Sequence, residues 1–204
     1  MGTIVFLGDS ITDADRLNSP NGLGYGYVNQ IAGQLQKTQT DWTFINKGVD
    51  GFITARLMRN LPTDCLVHHP DYICILVGIN DIGLIMNTVS TEEDKLRIFE
   101  DCLRAYHQLL FDITQNTDAR IITMEPFLFP WPAEYANWLP WRQKFSKQVH
   151  KLSRNYGAEF IYLHDRLNET AQKQGYDKIT TDGIHLTEAG HQILADAVLE
   201  ILKK

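Results

Sequence analysis

Tyr72-Ile73-Cys74-Ile75-Leu76-Val77 is an unbroken apolar run. It lacks the polar–apolar alternation of a strand with one wet face, so it is expected to be a central parallel strand covered on both sides. Four further runs share its apolar, β-branched character: Thr3–Leu7, Trp42–Asn46, Arg120–Met124 and Glu159–Leu163. Helical spacing fills the intervals. Tyr27, Ile31 and Leu35 recur every fourth residue, and Leu96, Phe99, Leu103, Tyr106, Leu110 and Ile113 form a longer stripe. A last helix is expected after Thr187, a plausible N-cap. Its apolar face would be Ile193, Leu194, Ala197, Val198, Ile201 and Leu202, with Lys203-Lys204 at the negative end of its dipole. Strand–helix alternation along the whole length predicts an α/β fold, a three-layer αβα domain over residues 1–204. About five mostly parallel strands favour a flavodoxin-like sheet over a (β/α)8 barrel, which takes roughly 250 residues.

Composition narrows the partners. The 204 residues suit one domain, and 44% hydrophobic with 22% charged residues is ordinary for a globular protein. The net charge of −6, with lysines and arginines dispersed, argues against nucleic acid, whose binders present a basic face. Cys65, Cys74 and Cys102 form no C-x-x-C pair and read as buried thiols. Met1–Leu7 has no basic n-region and is too short for a signal peptide; Phe6 stands where a myristoylation motif wants Ser or Thr. No stretch approaches the ~20 apolar residues of a membrane span. A cytoplasmic location is expected.

In doubly wound sheets the active crevice lies beyond the carboxyl ends of the strands. Gly8-Asp9-Ser10 follows the first strand and therefore falls there. Ser10 could be a nucleophile, a helix cap, or part of a phosphate loop for a nucleotide or flavin; the glycines of the usual phosphate motifs are absent. Asp182-Gly183-Ile184-His185 lies before the last helix, after a short connecting helix. A hydroxyl near neutral pH needs an imidazole to take its proton, and the imidazole needs a carboxylate to fix its tautomer. Three residues of separation let a loop fold Asp182 back onto His185. His68, His69, His107, His150, His164 and His191 show no metal-ligand spacing. Asn46-Lys47-Gly48-Val49-Asp50-Gly51 follows the second strand and Gly78-Ile79-Asn80-Asp81 the third. Each segment alone reads as a turn.

Taken together and in this order, Gly8-Asp9-Ser10, Asn46-x-Gly48-x-x-Gly51, Gly78-x-Asn80-Asp81 and Asp182-x-x-His185 resemble the GDSL-type esterases, or SGNH hydrolases, across nearly the whole chain. Ile11 stands where the family name has Leu, and Phe52 follows Gly51 where many relatives carry a small or polar residue. The resemblance implies Ser10 as nucleophile, His185 as base and Asp182 as its orienting acid. The Ser10 N–H, the Gly51 N–H and the Asn80 amide would form the oxyanion hole, with Gly48 the competing glycine. It implies a carboxylic-ester hydrolase without metal or organic cofactor. The substrate would be a small ester, a short-chain one or an O-acetylated carbohydrate; lysophospholipids and thioesters are the family's other substrates. A non-catalytic nucleotide- or flavin-binding module and a sugar-binding relative without turnover are the competing readings. Pro126–Trp141, rich in aromatics, reads equally as a substrate wall or as packing.

Overall fold

The computed structural model describes residues 2–37, 41–88 and 91–203. Met1 and Lys204, used in the sequence reading, lie outside that set. Strands β1 (Gly2–Gly8), β2 (Trp42–Gly48), β3 (Tyr72–Leu76), β4 (Arg120–Met124) and β5 (Glu159–Ile161) form one sheet. Its order is β2-β1-β3-β4-β5 and every pairing is parallel. This is the flavodoxin-like arrangement, with the unalternating run at 72–77 as its middle strand.

Both faces are covered, as that run requires. Side chains alternate along each strand, so Ile4, Phe6, Cys74 and Leu76 fill one core and Val5, Leu7, Ile73 and Ile75 the other. The first core is closed by helices α2 (Tyr27–Leu35), α7 (His164–Gln174), α8 (Tyr176–Ile179) and α9 (Glu188–Leu202). The second is closed by α3 (Thr54–Asp64), α4 (Ile79–Thr88), α5 (Glu92–Asn116) and α6 (Leu139–Asn155). A four-residue helix, α1 (Ser10–Asp13), sits over the end of β1.

Local signals hold where burial drives them. Tyr27, Ile31 and Leu35 are buried, and the Thr187 hydroxyl caps α9 by accepting from the Gly190 N–H at 3.2 Å. In α5 the buried residues run from Cys102 to Ile113, while Leu96 lies before them and is exposed. The fifth strand stops at Ile161 rather than Leu163. There the Glu125 carboxylate accepts from the Leu163 and His164 N–H groups, 3.0 Å each, and takes the backbone out of the ladder. Two helices, α7 and α8, occupy the connection expected to hold one short helix.

Candidate active site

The parallel sheet gathers the ends of β1, β2 and β3 at one edge, at Gly8, Gly48 and Leu76. Ser10 opens α1 there, two residues past β1. Asp9 is buried beneath it and caps the turn, its Oδ1 accepting from the Ile11 N–H at 3.1 Å. Burial pushes the Asp9 carboxyl up to about 7, against the opposing effect of that N–H, and the nearby Asp81 carboxyl adds to the rise.

The chain returns to this edge between α8 and α9. Thr180 and Leu186 form an antiparallel bridge that pinches the intervening loop. Within the loop, Asp182 Oδ1 accepts from the N–H groups of Ile184 (2.9 Å) and His185 (2.8 Å). Its Oδ2 lies 2.6 Å from His185 Nδ1. His185 Nε2 lies 2.8 Å from Ser10 Oγ, from the opposite end of the chain. Partial burial raises the Asp182 carboxyl, but the His185 ring and the two backbone N–H groups outweigh it and hold the group below the usual carboxylate range. An ionised carboxylate only accepts, so Nδ1 carries a proton and Nε2 is left to accept from the serine hydroxyl.

Gly183 makes the loop possible. Its φ is +93°, and a Cβ there would fall 1.9 Å from the Trp131 carbonyl oxygen. Its own carbonyl accepts from the Phe129 N–H at 3.0 Å, so the segment after β4 grips the loop that carries Asp182 and His185. The aromatic stretch therefore splits. Phe127 and Phe129 are core, whereas Trp131 is exposed and stacked on Tyr176 with ring centroids 6.3 Å apart.

The two candidate glycines, one ending β2 and one three residues beyond it, differ sharply. A Cβ on Gly48 would lie 2.1 Å from the Asp13 nitrogen, its N–H donates to Asn46 Oδ1, and its carbonyl accepts from Arg16. Gly51 has φ +71° and open space where a Cβ would be. Asn80 sits in the first turn of α4, its Nδ2 donating to the Phe52 carbonyl at 3.0 Å, which leaves a second amide hydrogen. Beside it the fully buried Asp81 accepts from the Thr54 N–H and hydroxyl, at 3.0 and 3.1 Å, and joins α4 to α3.

Two supporting roles escaped the sequence reading. One is that of Asp81, quoted there within its motif but given no role. The other is that of Thr180, fully buried, whose hydroxyl donates to the His185 carbonyl at 2.6 Å and accepts from the Gly183 N–H at 2.9 Å. A threonine two places before an aspartate carries no signal of its own. The other histidines serve elsewhere: His107 pairs with the Tyr156 hydroxyl, His150 with Tyr162, and the buried His191 accepts from the Tyr27 N–H. Among the described residues no group of three or more potential metal ligands gathers. All three cysteines are buried and free. No helix among those residues is long and apolar enough to cross a membrane.

Residues 6–193 match the GDSL-like lipase/acylhydrolase family. The chain belongs to that family. An acetylxylan esterase from Geobacillus stearothermophilus is 28% identical over 207 residues, covering 96% of this chain and 91% of the relative. A crystal structure of an acetylxylan esterase from that organism superposes with a TM-score of 0.84 at 25% identity, over 98% of this chain and 93% of its own. A protein described as a GDSL-like lipase, from Parabacteroides merdae, gives 0.87 at 26% identity, over 98% and 94%. Family and relatives make this GDSL acylhydrolase an ester-bond hydrolase.

Proposed function

We propose that this acylhydrolase removes short acyl groups, acetyl above all, from hydroxylated substrates of carbohydrate type by acyl transfer through Ser10. The observation that carries the reading is the relay from Asp182 Oδ2 to His185 Nδ1 (2.6 Å) and from His185 Nε2 to Ser10 Oγ (2.8 Å). Ser10 Oγ attacks the ester carbonyl as His185 takes its proton, and Asp182 stabilises the imidazolium that results. The oxyanion is received by the N–H groups of Ser10 and Gly51 and by the Asn80 amide. The open space at Gly51 and the packed environment of Gly48 support that choice of glycine. His185 then returns its proton to the leaving alcohol, and water repeats the steps on the acyl-enzyme. Residues 1–204 act as one catalytic domain. Three free buried thiols fit a reducing compartment, and the reading places the enzyme in the cytoplasm. The acetylxylan esterase relative supports acetyl as the acyl group.

The test is kcat/KM over p-nitrophenyl esters from acetate to palmitate and over acetylated xylo-oligosaccharides, with Ser10→Ala in parallel. Acetate and acetylated sugar should be the best substrates, and Ser10→Ala should lose about 10⁴-fold or more. Preference for palmitate would overturn the substrate, and turnover by Ser10→Ala the mechanism.

A further inference from the structure

We infer that a groove beside His185, between the end of α1 and the N-terminal turns of α2 and α9, is a subsite for the leaving alcohol and accepts a neutral sugar chain. The inference rests on the acyl-transfer reading above and extends it to the alcohol side of the ester.

The chemistry gives the direction. The leaving alcohol takes its proton from His185 Nε2, so the alcohol moiety must lie on the His185 side of Ser10. The acyl oxygen faces the opposite way, toward Gly51 and Asn80. A groove of about 600 Å³, a volume within the range of small-molecule sites, lies where the end of α1 meets the segment that follows His185. Its rim holds Leu186, the residue after His185, and Ala14, whose N–H donates to the Ser10 carbonyl at 2.9 Å.

The lining suits a polyol. Tyr25 stands on the wall with 59% of its surface exposed, presenting an aromatic ring of the kind on which sugar C–H faces pack. The residue is held at backbone and ring: the Tyr25 backbone N–H donates to the Ala14 carbonyl at 2.8 Å and its hydroxyl to the Asn18 carbonyl at 3.1 Å. Around it lie two carboxylates, Asp15 and Glu188, and two amides, Asn29 and Gln30. Several are already oriented: Asp15 accepts from Asn18 at 2.6 Å, Asn29 from Asn21 at 2.8 Å, and Gln30 donates to the Glu188 carbonyl at 3.3 Å. Among the described residues the lining contains no lysine or arginine, and burial keeps its one histidine, His191, neutral near pH 7. A phosphate-bearing headgroup would meet two carboxylates and no cation among them, whereas a neutral polyol finds acceptors and donors for its hydroxyls.

The measurement is the ratio of kcat/KM for an acetylated xylo-oligosaccharide to that for methyl acetate, whose one-carbon leaving alcohol does not extend into the groove. In Tyr25→Ala the ratio should fall roughly two- to tenfold through KM for the oligosaccharide, while Tyr25→Phe keeps the ring and the ratio. Asn29→Trp, which fills the groove from α2, should lower the ratio without altering Tyr25; thermal melts establish that each variant is folded. An unchanged ratio in folded Tyr25→Ala and Asn29→Trp would overturn the groove. So would lysophosphatidylcholine turning over as well as the acetylated sugar, with the same sensitivity to Tyr25→Ala. Failure of the wild-type protein to hydrolyse p-nitrophenyl acetate through Ser10 would instead remove the acyl-transfer reading itself.

Discussion

Thr180 holds the loop of Asp182 and His185 through backbone groups alone. Its hydroxyl hydrogen goes to the His185 carbonyl and its oxygen takes the Gly183 N–H, so one buried group before Asp182 ties down two positions after it. Thr180→Val keeps the shape and removes both bonds. It leaves the buried Gly183 N–H without that partner, at a cost of about 1–3 kcal/mol in stability. Because reacting groups tolerate little displacement, kcat for p-nitrophenyl acetate should fall about ten- to a hundredfold with KM little changed. Thr180→Ser, which preserves the hydroxyl, should restore most of that kcat. Full kcat in a destabilised Thr180→Val would reduce Thr180 to a structural role.

Among the elements, α1 carries the most unusual charge. Its cap, Asp9, is buried with Oδ2 lacking a hydrogen-bond partner among the described residues, and burial lifts the carboxyl to about 7 from its ordinary place near about 4. A raised carboxyl binds its proton more tightly in the folded state. Its stabilising contribution is complete below about pH 4 and is lost as pH rises through about 7. Asp9→Asn retains the cap and abolishes this titration. The melting temperature of the variant relative to wild type should therefore climb between pH 5 and pH 8. A constant difference across that range would contradict a protonated Asp9. His164 and His191, both held near 4 by burial, titrate with the opposite sign in both proteins and cancel in the difference. The elements were largely legible beforehand because burial writes itself as periodicity: Ile73–Leu76 has no alternation and lies between two covered faces. The end of β5 was not, because it depends on Glu125, thirty-odd residues away, capturing the Leu163 N–H. The same holds for the roles of Thr180, whose partners are backbone groups, and Asp81, which holds the Thr54 N–H and hydroxyl, since only the folded chain brings these near.

At the scale of the whole molecule, the sheet order explains why four short motifs gather at one sheet edge. In the order β2-β1-β3-β4-β5 the winding reverses between β1 and β3, which opens a crevice at that point. Ser10 follows β1 and Asn80 follows β3, on either side of the reversal, while Gly51 arrives from β2 and Asp182 and His185 from the loop before α9. Residue types and order were readable from sequence. The pairing distances were not, since Ser10 and His185 meet only when the first and last segments close over the sheet edge. Gly48 and Gly51, indistinguishable as letters, part company only by what surrounds them. The central claim is that His185 makes Ser10 the nucleophile. It is tested most directly by treating the folded protein with a fluorophosphonate and locating the adduct by mass spectrometry. One adduct is expected, on the peptide carrying Ser10, absent in Ser10→Ala and formed far more slowly in His185→Ala; labelling at another residue, or at Ser10 with equal speed without His185, would contradict it.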